Sequence, residues 1–477
     1  MPKVLSPWIH QLNRKRPIVT INEDMSSDVA IIGAGIAGIS TAYFTLKNTD
    51  KKVILIEADR VAHGATGHNA GQIVSYFERQ VSELAKEFGL AMAAEAQQAI
   101  DSTWLLIDQI YEDTQITTPY SSFIGYAGCQ DFAEILIHLE NIEYAKKANL
   151  TVEPMLIAAE SAILNEIPEK YKEHYTLSPH QEILKLLETR DPSYIAVLAA
   201  KKGCMNSALF CEDLLSHITS AYAERFHLIE QSPVSEVVLE QNIGQLLIRD
   251  KVVSADKVVL CTNGFEKFTI TNQAGADIDK HFHHLVKGTV GYMAAYFEEQ
   301  ERDPIAISYL PCASEACDEE FSNNPYFYLT RRNFVLESNQ PLSLICIGGP
   351  ESKMDDTNNY SKEHPYPDEA QAMISAFLHK TFEHAPSIEP DYQWHGLMGY
   401  TPNGVRCIGP EPLNPVLLYN LGCNGIGILP SIYGGKKISQ FLNGEKLKKA
   451  IFDPQDFTAD SSRSISLSQQ ITKLFTA

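Results

Sequence analysis

No run of about eighteen uninterrupted apolar residues occurs in this chain of 477 residues, which argues against a membrane-spanning helix. The nearest approach, "VAIIGAGIAGISTAYF" (29–44), is punctuated by glycines that mark a strand, a turn and a helix. Cysteine is sparse: nine, an odd number, scattered and without a CxxC pair. That argues against zinc ribbons and thiol-redox motifs. The opening "MPKVLSPWIHQLNRKRP" lacks the apolar stretch of a secretory signal, so the expectation is a cytoplasmic protein with reduced thiols. Basic residues are the minority. The 39 Lys and Arg against 60 Asp and Glu leave a net charge of −21, which repels nucleic acid and anionic membranes. Repeats and low-complexity blocks are missing, as are GxSxG, HExxH and any convincing Cys/His pair. "HFHH" (281–284) has a spacing that suits no common metal site, so no metal is expected.

What is present is a globular composition, 44% hydrophobic, long enough for two or more domains. Residues 1–27 read as a polar, irregular N-terminal extension. A strand-turn-helix-strand unit runs from Asp28 to Glu57, followed by long helix over 80–115 and further helix at 130–147 and 181–190. The helix "CEDLLSHITSAYAERF" leads into short strands that end in "ADKVVLCTNGF" (255–265). From 285 to 348 strands dominate, with polar loops at 311–325 and 351–367, and helix follows at 368–383. The last strand, "VLLYNLG", runs into "CNGIG" and a closing helix. This alternation predicts an α/β fold. A Rossmann-like dinucleotide domain (28–110, 195–280 and 393–447) is interleaved with a mainly antiparallel α+β substrate or cap domain (111–194 and 281–392), and 448–477 is a C-terminal tail.

Gly33-x-Gly35-x-x-Gly38 directly follows an apolar strand and opens a helix. Gly33 permits the tight turn, Gly35 lets backbone approach a pyrophosphate, and Gly38 lets helix pack on strand. The helix N-terminus offers free N–H groups to phosphates, and the first turn makes Ile36 and Ala37 contact candidates. Glu57, 19 residues past Gly38, ends the next strand beside Ala58 and can accept the hydrogen bonds of an adenosine ribose. An acid there disfavours a 2′-phosphate.

The glycine triplet alone does not distinguish NAD from FAD. The bare loop "GATGHNAGQI" (64–73) that follows the second strand favours FAD. Small side chains let backbone amides reach a ring, and Thr66 and Asn69 offer compact hydrogen bonds. The other reading is an ordinary surface loop.

"IIGAGIAG…LIEADRVAHGATGHNAGQI" resembles the D-amino-acid-oxidase-type FAD oxidoreductases, which include glycine and sarcosine oxidases. The variant it most resembles is the gamma-glutamylputrescine oxidoreductase type, with the resemblance spanning about 27–447. It implies that the loop wraps the flavin through Gly64, Ala65, Thr66, His68, Asn69, Ala70, Gly71 and Gln72. His68 stands where Arg is usual, which implies a weakened or pH-dependent contact. "SPVSEVV" resembles the strand that lays backbone against adenine, making Val234 a candidate; a plain hairpin edge is the other reading. "ADKVVLCTNG" resembles a strand passing the cofactor, with Thr262, Asn263 and Gly264 near it and Cys261 as a small buried hydrophobe. "NLGCNGIGILPSIYGG" resembles the family's closing cassette. Gly425, Ile426 and Gly427 would present a helix N-terminus to the pyrimidine end of the flavin. Gly396 aligns with a position where some members anchor flavin through Cys, which implies non-covalent FAD.

Amine oxidation by flavin is chiefly positioning, with the amine neutral and its C–H aimed at the hydride acceptor. A carboxylated amine would need an Arg fork. "PYFYLTRRNF" (325–334) offers Tyr326, Tyr328, Arg331 and Arg332, with Arg332 on the tyrosines' face. Both arginines could equally be solvated. His395 in "WHG" is a further catalytic candidate or a structural His, and Lys287 matches a basic family position of uncertain use. The expectation is an FAD-dependent oxidoreductase that oxidises the C–N bond of a small amine or amino acid to an imine, which water hydrolyses. Electrons would pass to dioxygen, a quinone or a protein partner. No Lys lies in "LSLICIGG", where some oxidases place one. The alternative is a non-catalytic FAD-binding assembly or modification partner.

Overall fold

Val29–Ile32 and Val53–Ile56 are buried along their whole length. Strands apolar on every residue need neighbours on both edges and cover on both faces. They find them in a nine-stranded sheet of the computed structural model, which describes residues 3–283, 285–298, 301–310, 326–335, 341–354, 356–384 and 389–454. The strands Met25–Ile32, Val53–Ile56 and Phe226–Ile229 run parallel, as does Lys251–Leu260 against Met25–Ile32 and Leu417–Leu421 against Lys251–Leu260. An antiparallel meander, Glu236–Leu239, Gly244–Ile248 and Lys251–Leu260, extends one edge. Helix Ile36–Asn48 lies under this sheet with residues 36–46 all buried. The closing helix Ile428–Leu442 crosses it so closely that a β-carbon on Gly435 would stand 2.7 Å from the backbone of Ser40 and Thr41.

An eleven-stranded, mainly antiparallel sheet forms the second layer. Near one edge of it, Lys287–Glu298 pairs with Tyr392–Tyr400 on one side and Pro341–Lys353 on the other. Phe327–Val335, Ile305–Tyr309, Tyr120–Cys129 and Ala196–Met205 continue it. The mixed α/β class is as expected from the sequence, but strand membership differs from the expected division. Gln72–Val74, Ala196–Met205 and Tyr392–Tyr400, read as dinucleotide-domain segments, pair into the second sheet. The long helix over 80–115 is three helices, Val81–Phe88, Leu90–Asp101 and Thr103–Thr114. Gly89, at φ +88, breaks the first from the second.

The N-terminal residues are not an irregular extension. Lys3–Val4 pairs in parallel with Tyr392 and Gln393, and Pro7–His10 is a short helix capped by Ser6. Trp8 is fully buried, and its indole N–H donates to the Asn69 carbonyl. The Ser6 hydroxyl donates to Gly67 O and the Arg14 guanidinium to Val61 O. This segment therefore clasps the bare loop from behind. Its polarity hid it, because here polar side chains are spent on another loop's carbonyls.

Candidate functional site

A cavity of about 1030 Å³ lies between the layers and takes its lining from both. At one end is the glycine turn. Gly33 has φ +100, and a β-carbon there would stand 2.6 Å from Cys261 O. A β-carbon on Gly35 would stand 2.8 Å from Thr66 Oγ1, and one on Gly38 would overlap Gly33 O. Gly33 and Gly38 are thus required by close approaches of backbone, and Gly35 faces the Thr66 hydroxyl. Gly33, Gly35, Ile36 and Ala37 line the cavity, while Gly38 packs helix on turn behind it. Glu57 and Ala58 line it too. The Glu57 carboxylate accepts the N–H groups of Ala34 (2.8 Å) and Asp59 (2.9 Å), and burial raises its pKa. Across the mouth, Asp59 is ion-paired by Lys362 and faces His63 at 3.4 Å, and these partners lower its pKa.

Gly64, Ala65, Thr66, His68, Asn69, Ala70 and Gln72 line the cavity. Gly71 does not: a β-carbon there would meet Met205 O at 2.7 Å and the Trp8 ring at 3.0 Å. Part of the loop's bareness thus answers to protein packing. Thr66 and Asn69 also hold the loop itself. The Thr66 hydroxyl accepts the Ile36 N–H at 3.0 Å. The Asn69 amide donates to Thr66 O and Ser207 Oγ, and its oxygen accepts from Gly71 N–H. Burial takes the His68 pKa down to about 4, with its Nδ1 2.9 Å from Gly64 O. The charge expected there near neutrality is therefore absent, since an imidazole in so dry a place stays neutral.

The remaining cofactor segments converge. Val234, Thr262, Asn263, Gly396, Gly425, Ile426 and Gly427 all line the cavity. Gly264 does not, and sits under Met398 O at 3.1 Å from a would-be β-carbon. Asn263 and Asn424 adopt left-handed φ, +52 and +47, which Asn tolerates. Asn263 Oδ1 accepts the Cys423 N–H at 3.0 Å, joining the two turns. Thr262 Oγ1 and Asn263 Nδ2 are buried without partners. Beside a glycine cradle and a helix N-terminus, two orphaned polar atoms at a cavity wall fit a dinucleotide that supplies the missing groups.

The other end is lined by Tyr76, Glu78, Tyr326, Tyr328, Glu351 and Tyr400. Tyr326 and Tyr328 lie with ring centroids 5.7 Å apart. Behind them the Tyr326 hydroxyl donates to Ser308 Oγ (2.8 Å), which also receives Lys202 Nζ (2.9 Å). Lys202 is fully buried with no carboxylate partner, and burial takes its pKa to about 7. Burial and the nearby Glu351 charge push Glu78 up to about 8, and burial pushes Glu351 up to about 7. Sequence reading missed both acids. Glu78 looks like the surface partner of Arg79, and Glu351 opens what reads as a polar loop but is the end of strand Pro341–Lys353.

Of the four expected catalytic residues, only Tyr328 lines the cavity. Arg331, 2% exposed, is ion-paired to Glu188 and Glu298, each at 2.6 Å. Arg332 shares the tyrosines' face, as alternation predicts. Four residues beyond Tyr328 is about 13 Å along a strand, and there it stacks on Trp8 and donates to Gln11 Oε1. His395 does not line the cavity and is held by Tyr360 (3.2 Å), which does, and by the His364 carbonyl (3.0 Å). Lys287 does line the cavity. Of "HFHH", His284 lies outside the described residues, and His283 faces Glu266 and Asp279.

The family model described as DAO, FAD dependent oxidoreductase, matches residues 28–441. A probable oxidoreductase of Haemophilus influenzae, OrdL, is 22% identical over 90% of this chain and 85% of its own. Gamma-glutamylputrescine oxidoreductase of Escherichia coli is 35% identical over 81 residues, 17% of this chain and 19% of its own. Glycine oxidase from Geobacillus kaustophilus superposes with a TM-score of 0.64 at 15% identity, covering 91% of this chain and all of that one.

Proposed function

The chain belongs to the DAO family of FAD-dependent oxidoreductases, and we propose that it oxidises the C–N bond of a small amine to an imine that water then hydrolyses. One observation carries this reading: a single cavity joins the dinucleotide cradle at one end to a chamber of tyrosines and carboxyls at the other. In this reading the nine-stranded sheet holds the cofactor and the eleven-stranded sheet supplies the substrate chamber. FAD, when bound, supplies the hydride acceptor.

Gly33, Gly35 and the first turn of helix Ile36–Asn48 would hold its phosphates. Glu57 would take the ribose, with Val234 along the adenine. Thr262, Asn263 and the Gly425–Gly427 turn would meet the remainder. The chain's own part in the reaction is to bind, orient and dry the amine. An ammonium cannot release a hydride from the adjacent carbon. The walls of Tyr76, Tyr326, Tyr328 and Tyr400 disfavour charge and so favour the neutral amine. Neither arginine of the expected fork, Arg331 or Arg332, lines the cavity, and its two described arginines, Arg79 and Arg406, are held by protein acceptors, which favours an amine over an α-amino acid in this reading.

Electrons would leave to dioxygen or a quinone. The strand bearing "LSLICIGG" does end in a lysine, Lys353, that lines the cavity. No described helix is long and apolar enough to cross a membrane. The seven described cysteines are unpaired, which supports a reducing, cytoplasmic setting. The test is anaerobic mixing of the yellow protein with a panel of amines and amino acids. Bleaching by an amine is the expected result, and a flavin that no amine or amino acid bleaches overturns the reading.

A further inference from the structure

Glu78 and Glu351 face the chamber, and neither pKa shift shows a hydrogen bond or counter-ion that would hold the charge. Three other inward-facing carboxyls carry donors. Glu57 has two backbone N–H groups, Glu230 has Arg16 and the Val61 N–H, and Glu188 has Arg331. Both Glu78 and Glu351 are partly exposed to the cavity, and a carboxyl pair without protein donors leaves its oxygens for a ligand to satisfy. The cavity's arginines are occupied. Arg79 donates to Asn403 O and Glu87, and Arg406 to the Asn420 side chain and carbonyl. The lining lysines Lys267, Lys287, Lys353 and Lys362 contribute to neither carboxyl's shift. Four tyrosines close the same space, and aromatic faces attract ammonium groups.

The two acids are placed differently. Glu78 Oε1 stands 2.6 Å from where a β-carbon on Gly425 would be, with the Tyr400 hydroxyl at 3.1 Å from the same point. Glu78 thus lies against the turn that opens the closing helix, on the nucleotide side. Glu351 pairs across the sheet with Gly291, and Gly291 with Gly396. All three line the cavity, and neither glycine adds a side chain on the way to Glu351, although the His68 carbonyl stands over Gly396 and the Met398 thioether over Gly291.

Resting on the reading above, we propose that the substrate is an aliphatic diamine, with Glu351 holding the ammonium that does not react and Glu78 taking the proton from the amine that does. The transferred proton leaves an N–H bond and forms an O–H bond on the Glu78 carboxylate, so one ammonium becomes the neutral amine the oxidation requires and the other stays charged. Groups facing the pair are Tyr76, Tyr326, Tyr328 and Tyr400. None is a carboxylate or a cation that would compete for the same ammonium. A dication drives off protons that the empty pair holds, so binding releases protons to solvent.

Holoenzyme is titrated anaerobically with putrescine, butylamine and gamma-aminobutyrate, which share chain length and differ at the far end. Flavin bleaching and, in weak buffer, proton release are followed. Putrescine is expected to bind about tenfold or more tighter than butylamine, with gamma-aminobutyrate weakest. In Glu351→Gln the putrescine-to-butylamine ratio collapses towards one, and Glu351→Asp gives an intermediate ratio should the amide variant not fold. In Glu78→Gln bleaching slows while putrescine remains preferred. Gamma-aminobutyrate or α-amino acids bleaching as readily as putrescine, a ratio unchanged in Glu351→Gln, or no proton release on putrescine binding would each overturn the proposal while leaving C–N oxidation standing. If nothing bleaches, the reaction class itself falls.

Discussion

The carbonyl oxygen of His68 stands 2.5 Å from where a β-carbon on Gly396 would be. Any side chain at 396 would push the loop 64–72 out of place. A cysteine link to flavin at this position is therefore sterically barred, and acid precipitation of the wild type is expected to leave all FAD in the supernatant. Gly396→Ala is expected to lose about 1–3 kcal/mol of stability and part of its flavin. Colour retained in the wild-type pellet would contradict this.

Thr262 tests whether the orphaned wall atoms await the cofactor. Valine keeps the shape and removes a hydroxyl that has no protein partner. Thr262→Val is expected to leave apoprotein melting unchanged or slightly higher. FAD affinity should fall by about 1 kcal/mol, roughly fivefold. Equal FAD binding by titration into both apoproteins would remove Thr262 from the contact set.

Glu78 should shape the alkaline side of the stability curve. Its folded pKa is about 8 against an ordinary 4.5. Folded protein keeps this proton over a range where unfolded chain has lost it. Stability from this site is intact below about 4.5 and is lost as pH rises through about 8. Glu78→Gln removes the loss. Melting curves without amine are expected to show the variant more stable at alkaline pH by about 2–4 kcal/mol, converging with wild type in acid. Glu351 remains and keeps a residual slope. His68 works on the opposite limb, since its lowered pKa withdraws stability as pH falls from 6.5 towards 4.

Arg331 is expected to matter to the fold alone. Arg331→Met strands Glu188 and Glu298 and should cost about 3–5 kcal/mol in denaturant unfolding. The folded fraction should keep its order of preference among amines. A changed preference would return Arg331 to the substrate site.

Where a local rule fixes a local shape, the sequence was legible. The glycine turn, the acid after the second strand, the closing Gly425–Gly427 turn and the α/β class all follow from short spacings. Tyr120–Cys129 and Ala196–Met205 were not legible as strands. They carry serine, glycine, alanine and lysine, and their strand state comes from neighbours distant in sequence. Arg332 shows the limit of alternation, which assigns a face but not a distance along it. Glu78 and Glu351 look like surface acids in one dimension, because only the folding of distant segments brings them to one cavity.

The clasp of Lys3 to Arg16 also orders events in time. Its strand partners are Tyr392 and Gln393, nearly the whole chain away. A ribosome releases Lys3 and Val4 long before these partners exist, so that strand must wait exposed. Loop closure over such a span is among the slowest contacts to form. The cradle's rear wall, Trp8 against Gly71, joins two early segments and does not wait, whereas the Lys3–Val4 pairing and the Gly425–Gly427 turn come last, so the cofactor cradle is complete only when synthesis nearly is.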